Sequence, residues 1–242
     1  MSESVEKFFE SDLYVSEMLK VWEEGKEWAE WLDSLAKKTS SGRDVLDVPC
    51  GIGRISHSLS ELGYNVVGVD ISERLLEVAK ARSPKVTFLK GDMRRLKDVI
   101  GDRKFDLVIN IFNSLGYYSE EEDIEILKNL RDSSRKLVVI NIDNRDFVIY
   151  NLPSVRHIYI PPYLVVDANE FDVSTSRLRV IRTYYLNGKE VDRFEFSQRL
   201  YSLHEIVREL KRLGLTVLNV YSGHSWKQFD VMDPQMTIVA KV

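Results

Sequence analysis

Between residues 15 and 38 the apolar positions fall at steps of three and four. Leu19, Trp22, Ala29 and Leu32 keep register with Lys26, and Trp28 and Trp31 add aromatic bulk. That period predicts amphipathic helix. Gly25 is expected to divide it into two helices, and Ser40-Ser41-Gly42 to end it. The period then shortens. Residues 45–48 read as a buried strand, 55–62 as a helix stopped by Gly63, and 66–69 as a second strand. A helix over 72–81, ended by Pro84, leads to strands at 86–89 and 105–111. Ser119 and Glu122 have capping-box spacing for a helix to about Leu130, which a fifth strand at 137–142 follows.

Short apolar strands alternating with helices predict an α/β fold with a parallel sheet, covered on both faces because right-handed crossovers put the helices there. After residue 151 the rhythm changes. Residues 156–201 contain no good helix but several period-two runs, and Asn187-Gly188 between two of them is a strong hairpin signal. This stretch is expected to be an antiparallel insert of three or four strands. Ser202 and Glu205 then cap a helix to about Leu213, and two strands, 215–221 and 236–242, complete a seven-stranded sheet with a final antiparallel pair.

The 242 residues suit one domain, organised as N-terminal helices (1–40), a core (41–150), the insert (151–201) and a C-terminal helix with a strand pair (202–242). Hydrophobic content of 44% and charged content of 30% describe an ordinary globular chain rather than a disordered one. Cys50 is the lone cysteine, which excludes an intramolecular disulfide and a cysteine-rich zinc site and suits a reducing cytoplasm. The four histidines are scattered, so no metal site is expected. No apolar run approaches the ~20 residues that span a bilayer, and the acidic first ten residues lack the features of a signal peptide. A cytoplasmic protein without membrane partners, monomeric or homodimeric, is expected.

The most informative stretch is Val45-Leu46-Asp47-Val48-Pro49-Cys50-Gly51-Ile52-Gly53-Arg54, a strand, a glycine turn and a helix start. Glycines there allow a ligand to approach backbone where a Cβ would collide. Asp70 ends the next strand, 17 residues beyond Gly53. That is near the spacing at which an acid accepts hydrogen bonds from a ribose diol, although with Ser72 it could also cap a helix. Asp92-Met93 follows the third strand, where a carboxylate could meet an adenine amino group or simply serve a turn.

These three features resemble the class I S-adenosylmethionine-dependent methyltransferases. Asp47 matches the family's motif acid, Gly51 and Gly53 its last two glycines, Asp70 its ribose acid and Asp92-Met93 its adenine pair; Pro49 replaces the first glycine. The resemblance implies a Rossmann-like sheet with S-adenosylmethionine as cofactor, and a site that also takes in Ile71, Asn110 and Phe112, with Tyr14 closing over it beside Trp22. Residues 142–147 and 199–206 are most similar to a subset that includes amino-sugar N-methyltransferases, in which an insert helps to enclose the acceptor. The expected reaction is N- or O-methylation of a small molecule by in-line transfer, with Tyr117 and His157 as candidate proton acceptors. Replacing Asp70 by alanine is expected to weaken cofactor binding far more than folding.

Two other readings compete. Residues 154–242 hold 12 Lys/Arg against 10 Asp/Glu although the chain's net charge is −4, so Arg177, Arg179, Arg182, Arg193 and Arg199 could line a phosphate-binding face for ribosomal or transfer RNA. An Asn-Pro-Pro-Tyr-type motif of nucleobase methylation is absent. A non-catalytic module that only binds S-adenosylmethionine is the third reading.

Overall fold

The computed structural model describes residues 3–242. It opens with three helices, α1 (Glu3–Phe9), α2 (Asp12–Lys20) and α3 (Glu24–Lys38). α1 lies within the expected N-terminal helical segment but ahead of the period read from residue 15, and Val5, Phe8 and Phe9 have helical spacing; residues 1 and 2 of that segment lie outside the described residues. The break between α2 and α3 falls at 21–23, not at Gly25. Gly25 sits in the first turn of α3, where a Cβ would come within 2.6 Å of the Arg54 backbone, so it serves a close helix–helix approach.

Strands and helices then alternate: β1 (Asp44–Asp47), α4 (Arg54–Glu61), β2 (Asn65–Asp70), α5 (Glu73–Arg82), β3 (Thr87–Lys90), α6 (Leu96–Ile100), β4 (Phe105–Asn110), α7 (Glu120–Asp132) and β5 (Ser134–Asp143). A short helix, α8 (Arg145–Asn151), precedes four antiparallel strands, β6 (Val155–Ile160), β7 (Tyr163–Asp172), β8 (Arg177–Leu186) and β9 (Lys189–Arg199). The chain closes with α9 (Leu203–Arg212), β10 (Thr216–Ser222) and β11 (Gln235–Lys241). Both predicted capping boxes form, at Ser119/Glu122 and Ser202/Glu205. Asn187 and Gly188 both take positive φ, 51° and 76°, as the β8–β9 hairpin turn requires.

The seven-stranded sheet has the order β10-β11-β5-β4-β1-β2-β3. β1 to β5 pair in parallel, and β11 runs antiparallel between β5 and β10. One face is covered by apolar residues of α3, α4 and α5, such as Leu32, Leu59 and Leu76, the other by those of α6, α7 and α9, such as Leu96, Ile126 and Leu210. Strand order reverses between β1 and β4. A doubly wound sheet opens a crevice at that switch point, beyond the carboxyl ends of its strands, and the ends of β1, β2 and β4 therefore aim their following loops into one space. Phe8 sits among Val165, Tyr184 and Phe194, which packs α1 onto the inner face of the four-stranded sheet. No helix among the described residues is long and apolar enough to cross a membrane.

Candidate functional site

The crevice is a cavity with about 1020 Å³ free of protein atoms, its open mouth included. The turn after β1 forms its floor through Pro49, Cys50, Gly51, Ile52 and Arg54. Gly51 has φ +54°, and a Cβ on it would meet nothing within 4 Å, so its backbone faces open cavity. A cradle that glycine keeps clear is what a closely approaching cofactor needs. Gly53 differs. At φ +79° its Cβ would lie 2.8 Å from the Phe88 ring and 3.2 Å from Ala79, so it lets α4 pack against the sheet and does not line the cavity.

Two carboxylates stand in the wall. Asp47 accepts a 2.6 Å hydrogen bond from Ser56 Oγ, and its nearly complete burial pushes its pKa up to about 7, with the Asp70 charge adding to the rise. Asp70 accepts the Gly51 N–H at 2.7 Å and the Ser72 N–H at 2.9 Å. Burial outweighs these bonds and pushes its pKa up to about 6. Asp70 therefore ties the glycine turn to the start of α5, while Ser72 is the cap itself, accepting the Leu75 N–H.

The loop after β4 supplies Phe112, Asn113, Ser114, Tyr117 and Tyr118. Phe112 and Asn113 both have positive φ, 66° and 59°, a conformation that costs about 1–2 kcal/mol per residue. Amide side chains hold it. Asn141 Oδ1 accepts the Phe112 N–H, Asn113 Nδ2 donates to Asp143 at 2.7 Å, and Gln198 Nε2 donates to the carbonyls of Asn113 and Leu115 at 2.9 and 2.8 Å. The insert's last strand thus braces the cavity wall. Phe112 also carries the Arg54 guanidinium 4.1 Å from its ring centre. Phe9, Tyr14 and Met18 of the N-terminal helices cover the other side.

Of the expected site residues, Asp47, Pro49, Gly51, Asp70, Ile71, Met93, Phe112, Tyr14 and Tyr117 meet at this cavity. Four do not. Gly53 packs α4, as described. Asp92 caps the turn at Met93 and is gripped by Arg94 through both oxygens, at 3.1, 3.0 and 2.6 Å. Asn110 is buried behind the wall, donating to the Val48 carbonyl, and its own carbonyl oxygen has no partner among the described residues. His157 is exposed on β6, on the face opposite Ile158, which packs towards Phe8. Trp22 also lies outside the lining, tilted against His57 and under Arg82.

The expected basic face is not assembled. Arg177 and Arg179 project from one side of β8 and Arg182 from the other. Arg182 is committed to Asp167 and Glu17, Arg179 to Glu195, and Arg199 to Glu120 and Glu205, while Arg177 donates to the Gly116 and Tyr118 carbonyls. Phe9, Met18 and Gln198 were missed. Only Phe9 had a local signal, its helical spacing with Val5; the other two depend on distant partners.

Residues 45–136 match the family described as Methyltransferase domain. That segment holds the glycine turn, Asp47, Asp70 and the loop after β3. The matched segment is a methyltransferase domain, and the proteins that the chain resembles are S-adenosylmethionine-dependent methyltransferases. The Bacillus subtilis protein YqeM, itself only provisionally named a methyltransferase, is 28% identical over 211 residues, 80% of this chain and 81% of its own. The dTDP-3-amino-3,4,6-trideoxy-alpha-D-glucopyranose N,N-dimethyltransferase of Streptomyces venezuelae is 36% identical over 93 residues, 38% of each chain. Among solved structures, an S-adenosylmethionine-dependent methyltransferase from Clostridium acetobutylicum superposes with a TM-score of 0.79 at 20% identity, covering 90% of this chain and 91% of the other, which carries the fold.

Proposed function

We propose that this methyltransferase acts on a small-molecule acceptor held inside the cavity. The observation that carries the reading is the cover: Phe9, Tyr14 and Met18 of the N-terminal helices lie over a mostly apolar space whose wall also includes Phe112 and Tyr117. In this reading Asp70 accepts hydrogen bonds from the ribose hydroxyls, Gly51 lets the cofactor reach the backbone, and Ile71 and Met93 flank the adenine. Asp47 and Arg54 serve the methionine end. The bound cofactor supplies a methyl group already activated by its sulfonium. The chain's own residues then have to align the acceptor in line with that bond and keep water out. The sugar N,N-dimethyltransferase relative supports a metabolite acceptor, and the carboxylate partners of Arg179, Arg182 and Arg199 take three of the five expected arginines away from an RNA backbone. Methyl-labelled S-adenosylmethionine incubated with the purified protein and fractionated cell extract is expected to label the small-metabolite fraction. Label confined to RNA or protein would overturn the proposal, and binding without any transfer would favour a non-catalytic module.

A further inference from the structure

Three aromatic rings of the cavity wall form one cluster. Phe9 is the hub: its ring centre lies 5.0 Å from that of Tyr14 and 5.6 Å from that of Tyr117, both edge-on. All three rings line the cavity. Phe112 already carries the Arg54 guanidinium, and Tyr118 carries that of Arg94. Among the described residues no cation stacks on Phe9, Tyr14 or Tyr117, and the two tyrosine hydroxyls make no hydrogen bond. Asn113 and Ser114, the polar neighbours, are spent on Asp143, Gln198 and the Ile111 carbonyl. What remains for an acceptor is therefore π-faces and two free phenol groups.

We infer that the acceptor is an amine methylated at nitrogen, and that the Phe9, Tyr14 and Tyr117 rings hold the cationic ammonium product. This rests on reading the cavity as the site of methyl transfer. In the step, the nitrogen lone pair forms the N–C bond while the S–C bond breaks and its electron pair stays on sulfur. The positive charge moves from sulfur to nitrogen and never leaves the site. Aromatic faces attract such a charge without needing a counter-ion. The ammonium proton passes to water once the product has left, so no base is required during transfer.

A hydroxyl acceptor would need one. Its oxygen becomes an acidic oxonium on methylation unless a base takes the proton. Burial holds the Tyr14 phenol protonated, its pKa pushed up to about 12, and raises that of Tyr117 as well. Asp47 and Asp70 are already engaged with Ser56 and the turn amides. Asp143 lies behind the wall, held by Asn113 and Gln235.

The test needs no knowledge of the natural acceptor. The protein saturated with S-adenosylhomocysteine, which leaves the site without the sulfonium charge, is titrated with choline and with its uncharged isostere 3,3-dimethylbutan-1-ol. Choline is expected to bind about 3- to 30-fold more tightly, the span of desolvated cation–π contacts. Phe9→Leu should bring the ratio close to one, and Phe9→Trp should keep it. A melting curve for each variant and its affinity for S-adenosylhomocysteine check that the site is intact. Equal affinities in the native protein overturn the inference and leave the cofactor reading standing. A preference that survives both Phe9→Leu and Tyr117→Leu overturns the assignment to these rings. No binding of S-adenosylhomocysteine overturns both readings together.

Discussion

Replacing Asp47 by asparagine tests how the cavity floor is charged. The Asp47 side chain is 2% exposed, and burial pushes its pKa up to about 7 against an ordinary value of 3.8. A folded value above the unfolded one means that the stabilisation belongs to the protonated form. It is fully present below about pH 4 and is lost as the pH rises through about 7. A difference of about three pKa units corresponds to about 4 kcal/mol. An amide at this position has no proton to lose, yet its oxygen still accepts the Ser56 hydrogen bond. Asp47→Asn should therefore gain on the native protein by up to about 4 kcal/mol between pH 4.5 and pH 8. In a chain of this size that is roughly 8–16 °C in melting temperature. Melting both proteins across that range and plotting the difference cancels groups such as Asp44 and Asp233, whose lowered pKa values give the opposite slope. A difference that stays flat with pH would refute the reasoning. The same charge is linked to the cofactor, a net cation that favours the ionised carboxylates. Near pH 6 its binding should release protons, so the calorimetric heat should vary with the ionisation enthalpy of the buffer.

Two further outcomes follow from the turn. Asp70→Ala removes the acceptor of the buried Ser72 N–H and of the part-buried Gly51 N–H, so it should destabilise the ligand-free protein by about 1–3 kcal/mol as well as weakening S-adenosylmethionine binding; this revises the expectation that folding would be largely spared, and an unchanged melting temperature would contradict it. The two glycines should differ in kind: Gly51→Val meets no atom but strains the backbone at φ +54° and should abolish calorimetrically detectable binding, whereas Gly53→Ala adds pressure on Phe88, about 1–3 kcal/mol, to the strain of its own positive φ.

Features written in neighbouring residues were legible in advance. Both capping boxes, the Asn187-Gly188 turn and the strand–glycine–helix stretch each declare themselves within a few positions. What failed depended on partners far along the chain. Gly53 looked like a ligand cradle because nothing local announces Phe88, and Gly25 looked like a helix break because nothing announces Arg54. The arginines of β8 looked available because Glu17, about 165 residues away, is invisible from their own segment. Their alternation was nevertheless readable, since positions 177 and 179 cannot share a strand face with 182. The helical period was read only from residue 15, while the spacing of Val5, Phe8 and Phe9 carries the helix that reaches the cavity.

The place of β11 bears on how the molecule is made. It is the last of the eleven strands to leave the ribosome, yet it belongs in the interior of the large sheet, between β10 and β5. The outer edge of β5 is complete by Asp143, and its partner emerges only about ninety residues later, roughly 5 to 20 seconds at ordinary rates of translation. Throughout that interval the nascent chain carries an unpaired apolar edge, Leu137 to Ile142, of the kind that recruits other strands. Synthesis rather than thermal stability is therefore the stage at which this fold is most exposed to aggregation, and slowing translation after β5 should lower the soluble yield more than slowing it before.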